Sequence, residues 1–180
     1  MLECAKVLHD ELPYNLHIFV NSVEFIAKVI DTLKLAPEAV KVVCSTSGDS
    51  RQENQRKLGN AYPIGQPSDP AKKINFYTST CFEGCDIFDP DGVTFIVSDG
   101  RKAHTLLDIS TLFTQICGRI RDSRYKAQIV HVYSTTKYSN AVTLDEFVAA
   151  TQRTLADAEK FASDINAVDE PSREKLLKKI

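Results

Sequence analysis

Short apolar runs alternate along this chain with stretches whose apolar residues recur at helical spacing, and that alternation constrains the fold more than any other feature. Leu16 to Val20, Val40 to Cys44, Ile74 to Tyr77, Val93 to Val97 and Gln128 to Tyr133 read as strands. Between them, Val23 to Leu33 sets Val23, Ile26, Ala27 and Ile30 on one helical face, Arg51 to Leu58 reads as a polar helix, and a third helix runs from about Ser110 to Ile116. Another short helix is expected over Glu3 to Glu11, closed by Pro13. Strands separated by helices imply right-handed crossovers, and so a three-layer α/β sandwich with a mostly parallel sheet and helices on both faces. In such sheets the loops after the carboxyl ends of the strands face the ligand, and Thr78 to Asp86 is one of these. Gly59 to Pro70, with two glycines and three prolines, reads as a loop barred from regular pairing.

The character changes after residue 142. Thr143-Leu-Asp-Glu146 is a capping box, and Leu144, Phe147, Val148, Leu155, Ala158 and Phe161 draw an apolar stripe down a helix to about residue 166. Glu170-Pro171-Ser172 opens a last short helix ending in Lys175, Lys178 and Lys179. Residues 1–142 therefore read as one α/β domain and 143–180 as a C-terminal helical extension packed on it, or presenting its stripe to a neighbour. A chain of 180 residues with 43% hydrophobic content supports one substantial core.

A net charge of −2 argues against a binder that works through a basic tail. Any nucleic-acid contact must be local, and the dense basic run Arg119 to Lys126, with Tyr125 inside it, is the main candidate. No charged-then-apolar leader is present, and no apolar run reaches the roughly 18 residues of a membrane span. The expected setting is cytoplasmic, without a membrane partner. Five cysteines, at 4, 44, 81, 85 and 117, and four histidines, at 9, 17, 104 and 131, fall at no complete metal-ligand spacing. They read as reduced thiols and no metal site is assigned, although Cys81-x-x-x-Cys85 has the spacing of a zinc half-site.

Chemistry concentrates in Gln115-Ile-Cys-Gly118-Arg119-Ile-Arg121. Arginine presents a planar, permanently charged fork that matches phosphate oxygens two at a time and stabilises charge on a transferring phosphoryl group. The plainer reading of Arg-Ile-Arg is a solvated helix end placed well against the helix dipole. Among other chemistries, Cys81 or Cys85 with His104 or His131 could form a thiol nucleophile and base, and Glu83 with Asp86 a carboxylate pair.

Lys73-Ile-Asn-Phe-Tyr-Thr78-Ser79-Thr80-Cys81-Phe82-Glu83-Gly84-Cys85-Asp86-Ile87 brings in a family resemblance. Thr78-Ser79 followed by Gly84-x-Asp86-Ile87 resembles motif V of superfamily 2 helicases. Gln115-x-x-Gly118-Arg119 resembles their motif VI, and Leu16 to Ser22 with the helix after it resembles motif IV. The order and spacing, over roughly residues 14 to 135, are similar to the second RecA-like domain of such enzymes. The spelling Gly118-Arg119-x-Arg121 is closest to the branch containing viral origin-binding helicases. Many members carry an arginine where this chain has Asp122, so the finger residue is left open among Arg119, Arg121 and Arg124.

The resemblance implies an ATP- and Mg2+-dependent motor acting on single-stranded DNA or RNA. Arg119 and Arg121, helped by Gln115, would reach the phosphates; Gly84, Asp86, Gly118 and Arg124 would line the nucleotide; Asn21, Ser22, Thr78, Ser79 and Thr80 would meet the nucleic acid. Both arginines should then lie beside the Thr78 to Asp86 loop, largely free of acidic partners. No glycine in this sequence is followed by lysine, so the phosphate loop of the first RecA-like domain is missing, and neither Asp10-Glu11 nor Asp99 replaces its magnesium ligand. The expectation is a fragment inactive alone that works against that first domain. Two alternatives stand beside it: a helicase-derived binding module without ATP turnover, and an unrelated doubly wound α/β enzyme whose arginines face away from that loop.

Overall fold

The computed structural model describes residues 12–134 and 143–168. Five strands form one parallel sheet: β1 (Asn15–Phe19), β2 (Val40–Val43), β3 (Ile74–Tyr77), β4 (Gly92–Asp99) and β5 (Ile129–Ser134), in the order β2-β3-β1-β4-β5. This is the expected α/β class, and it is consistent with a RecA-like sandwich. β1 sits in the middle with both faces covered, which explains why Leu16, His17, Ile18 and Phe19 are all buried and why the strand reads as an unbroken run. The helices expected over Glu3 to Glu11 and after Glu170 lie outside the described residues.

Side chains alternate across each strand, so the sheet divides the core in two. On the first face, α1 (Val23–Leu33) buries Ile26, Val29 and Ile30 against Leu16, Ile18, Val42 and Phe76. Ser22 starts this helix by accepting the backbone N–H of Phe25, and Lys34 ends it in the left-handed conformation at φ 48°. α2 (Ser50–Leu58) buries only Leu58, as its polar sequence requires. The second face carries Phe19, Tyr77, Phe82 and Ile96 under α3 (Thr114–Cys117), which contributes Ile116. The helix expected from Ser110 is a π turn over Ile109–Phe113, started by Asp108, followed by this short α-helix.

One segment departs from its expected form. The Gly59 to Pro70 loop does pair: Ile64 makes a parallel bridge to Val42, and Gly65 N–H donates to Val42 O at 2.8 Å along the outer edge of β2. Its prolines stand on either side of this one bridge and leave the Gly65 donor free to use. The chain then crosses the second face, where the carbonyls of Pro67 and Asp69 accept the buried Lys41 ammonium. Burial pushes the Lys41 pKa down.

The described residues 12–134 and 143–168 belong to two separate compact units. In the second, α4 (Leu144–Ala167) begins with the capping box: Thr143 N–H donates to Glu146 Oε2 at 2.8 Å, and Glu146 N–H to Thr143 Oγ1 at 3.3 Å. No helix among the described residues is long and apolar enough to cross a membrane.

Candidate phosphate and nucleic-acid site

Past the carboxyl end of β3, Thr78 is extended and Ser79–Cys81 makes a single 3-10 turn. Gly84, at φ +69°, turns the chain where a side chain would be strained. The chain then runs back across the second face, and Ile87 pairs with Ile120. Ile87 N–H donates to Arg119 O at 2.9 Å, and Arg121 N–H donates to Ile87 O at 3.0 Å. These two bonds join segments more than thirty residues apart and fix what flanks them.

The flanking residues are the sequence candidates. Arg121 Nε donates to Asp86 Oδ1 at 2.7 Å, each side chain about half exposed at 48% and 49%. Arg119 donates from Nε to Gln115 O at 2.9 Å and from Nη1 to Cys85 O at 3.1 Å. No carboxylate pairs with Arg119 among the described residues. The expectation that the arginines stand free of acidic partners therefore fails for Arg121, because the Ile87–Ile120 bridge brings Asp86 against it. Gln115 is exposed, and Gly118, at φ −95°, has a backbone open to any residue.

Arg124 is not brought here. It pairs with Asp91 and donates its N–H to Pro90 O at 3.0 Å. Asp91 O in turn holds Asn15 N–H, so this pair marks the amino ends of β1 and β4, away from the Thr78 loop. Arg124, expected at the nucleotide, is thus placed apart from Arg119 and Arg121. The cause is the chain's descent after Ile120, which carries Ser123 Oγ to Gly92 O at 2.6 Å.

Asp122 stands where the helicase resemblance would expect an arginine, and its side chain is used within the fold. Its Oδ1 accepts the N–H of Asp89 at 2.8 Å, a bond no arginine side chain could accept. Asp89 is buried and itself anchored: its Oδ2 lies 2.7 Å from His17 Nε2 and 3.0 Å from Asn15 Nδ2. A carboxylate only accepts, so Nε2 faces Asp89 with its N–H, while Nδ1 lies 3.1 Å from Tyr77 Oη. Burial raises the Asp89 pKa, but hydrogen bonds from His17, Asn15 and Asp91 outweigh it and leave the carboxyl below its ordinary range.

Asn21 ties three carboxyl-end segments together. Its Oδ1 accepts Ser79 N–H at 3.3 Å and its Nδ2 donates to His104 O at 2.8 Å. Ser22 is buried, and its Oγ caps α1 by accepting the Phe25 N–H at 3.2 Å. Thr78 is buried with its Oγ1 3.0 Å from that of Thr80, while Ser79 and Thr80 are exposed. Beside Thr80, at the carboxyl ends of β2 and β3, lies a cleft of about 160 Å³ lined by Thr46, Gln66 and Cys81 among others. Thr46 and Gln66 were not among the sequence candidates. Thr46 could have been found, since it follows the carboxyl end of β2. Gln66 had no signal, because it reaches the cleft only through the Ile64 bridge.

The same loop holds two free thiols, Cys81 buried and Cys85 partly exposed. The Cys81 S–H and the Arg119 charge lower Cys85 to about 7, whereas Cys81 is pushed up by Cys85 and by burial. No family model matches the chain, and no curated protein matches it at a significant level.

Proposed function

We propose that this chain is the second RecA-like motor domain of a superfamily 2 nucleic-acid helicase or translocase, working in the cytoplasm. The observation that carries the reading is the Ile87–Ile120 bridge, which sets Gly84-x-Asp86 directly against Gly118-Arg119-x-Arg121. Asn21 adds the third by holding Ser79.

The residues present fit phosphate. Arg119 is braced by two carbonyls and keeps further N–H groups for a ligand. Arg121 is held by one half-exposed ion pair worth about 0–1 kcal/mol, which a phosphate oxygen can replace at little cost. Asp86 would then be released to accept from the nucleotide or from the opposing domain. The described residues do not fit a magnesium site, since no group of three or more metal-ligating side chains occurs among them. The ion and the phosphate loop belong, on this reading, to a first RecA-like domain facing this one.

Closure of the two domains on ATP would bring Arg119 and Arg121 to the γ-phosphate, and Asn21 would pass that movement to Ser79 and the strand bound near Thr80. In the assembled two-domain enzyme, Arg119→Ala should lower kcat about 10³-fold without unfolding the domain, because a finger arginine contributes on that scale. Unchanged turnover in both Arg119→Ala and Arg121→Ala sinks the proposal and leaves the solvated helix-end reading.

A further inference from the structure

His131, one of the two histidines weighed as a base for Cys81 or Cys85, meets a serine instead. Its Nε2 lies 2.8 Å from Ser98 Oγ, across the pairing of β4 with β5. Side chains alternate along β4, so Ser98 shares the second face with Ile96, and His131 stands opposite Ile96 on that face. Ser98 is the last residue but one of β4, at the carboxyl edge where sheets of this class hold their ligands. The imidazole is exposed, and two rings pack on it: Phe113 edge-on at 5.1 Å and Tyr133 tilted at 5.2 Å.

Ser98 and His131 line a cavity of about 230 Å³ whose other walls are mainly apolar, Leu107, Ile109 and Phe113 among them. The π turn Ile109–Phe113 builds part of that wall; Phe113 N–H closes it on Asp108 O at 2.9 Å, and the Phe113 ring meets His131. Leu106 and Ile109 are 52% and 77% exposed, apolar surface that a ligand would cover. No Asp, Glu, Lys or Arg lines the cavity, which favours a neutral ligand. The volume falls below the roughly 300–1,000 Å³ of a pocket for a drug-sized molecule, so it suits a short alkyl chain or a single ring.

A hydroxyl within hydrogen-bond reach of an imidazole nitrogen, the ring itself held by further groups, is the arrangement of an activated nucleophile and its base. We propose that Ser98 and His131 take the acyl group from small neutral esters with a short apolar acyl chain. With the ring proton on Nδ1, Nε2 removes the Ser98 proton as Oγ bonds to the acyl carbon and the carbonyl electron pair moves onto its oxygen. That pair then returns, the C–O bond to the alcohol breaks, and the alcohol leaves with the proton from Nε2. Water, losing a proton to Nε2, attacks the acyl-serine in the same way, which releases the carboxylic acid and restores Ser98. No carboxylate pairs with His131 among the described residues, so packing alone orients the ring and acylation is the step to measure. None of these groups belongs to the phosphate site, and the proposal is independent of the helicase reading.

The full chain is incubated with an alkyl fluorophosphonate, which phosphonylates an activated serine and expels fluoride, and the modified peptides are mapped. A single label at Ser98 is expected, absent from the heat-denatured chain and from Ser98→Ala, and formed at least about 100-fold more slowly in His131→Gln. p-Nitrophenyl butyrate should acylate Ser98 about 10-fold faster than the acetate, since two more methylenes enter the apolar cavity. Label on another residue, equal label on the denatured chain, no label at all, or an unchanged rate in His131→Gln overturns the proposal and leaves the Ser98–His131 bond as a structural one. Equal rates with the two esters overturn the assignment of the cavity to the acyl chain. The wild-type map against the denatured chain decides even if a variant fails to fold, and none of these readouts depends on ATP or nucleic acid.

Discussion

The carboxylate of Asp122 accepts the backbone N–H of Asp89 at 2.8 Å, and this bond fastens the strand-like segment around Ile120 to the segment that enters β4. Replacing Asp122 with arginine, which would restore the commoner helicase spelling, should therefore destabilise the domain. The Asp89 N–H would be left without its partner at a cost of about 1–3 kcal/mol. Urea denaturation of Asp122→Arg against Asp122→Asn measures this, since asparagine keeps an acceptor; equal midpoints for both variants and wild type would show that the bond does not matter.

The Asp89 carboxyl titrates below its ordinary value in the fold, so it binds protons less readily folded than unfolded. Its contribution is complete above the unfolded carboxylate value of about 4 and is lost as pH falls through the folded one. Asp89→Asn should cost about 2 kcal/mol at pH 7, and the gap to wild type should narrow below about pH 4. Thermal melts across that range decide it, and a constant gap would place the effect in packing.

Gly92 and Gly118 should respond oppositely to alanine. A Cβ on Gly92 would lie 2.9 Å from the His17 ring, which is fully buried and held at both nitrogens. The expected loss is about 1–3 kcal/mol. At Gly118 the nearest atom would be Gln115 O at 3.6 Å, an ordinary contact, so Gly118→Ala should stay within about 0.5–1 kcal/mol of wild type. Chemical denaturation of the pair reads this directly.

The Arg121–Asp86 pair, half exposed on both sides, should be energetically cheap. A double-mutant cycle with Arg121→Ala and Asp86→Ala should return a coupling of no more than about 1 kcal/mol. Coupling of several kcal/mol would mean that Arg121 is committed to structure and unavailable to a phosphate.

Single-stranded DNA or RNA should bind the chain weakly, with affinity falling steeply as salt rises, because each neutralised phosphate releases counterion. Fluorescence anisotropy from 50 to 200 mM salt provides the slope. Thr80→Ala and Gln66→Ala should weaken binding at fixed salt if the cleft beside them takes the strand. Affinity insensitive to salt would point instead to stacking on Tyr125.

The elements were largely legible because they are local. Burying one stripe or two faces leaves a periodic trace, and the five expected strands and the Val23–Leu33 helix coincide with β1 to β5 and α1 to within a residue or two. The capping box likewise announces α4, since its partners are three residues apart. Residue types also marked the two segments richest in chemistry, Thr78 to Asp86 and Gln115 to Arg121. Periodicity does not record which distant segments meet. The Ile87–Ile120 and Val42–Ile64 bridges are each made by backbone groups that every residue carries, so their partners leave no signature in side-chain type. Those long-range bonds set Asp86 on Arg121, bring Gln66 to the cleft and send Arg124 to the amino end of β4. The sequence by itself determined the strands, the helices and the candidate groups; the tertiary structure alone decided which of those groups share a site, because that depends on the closure of loops whose backbone pairing is indifferent to side-chain identity.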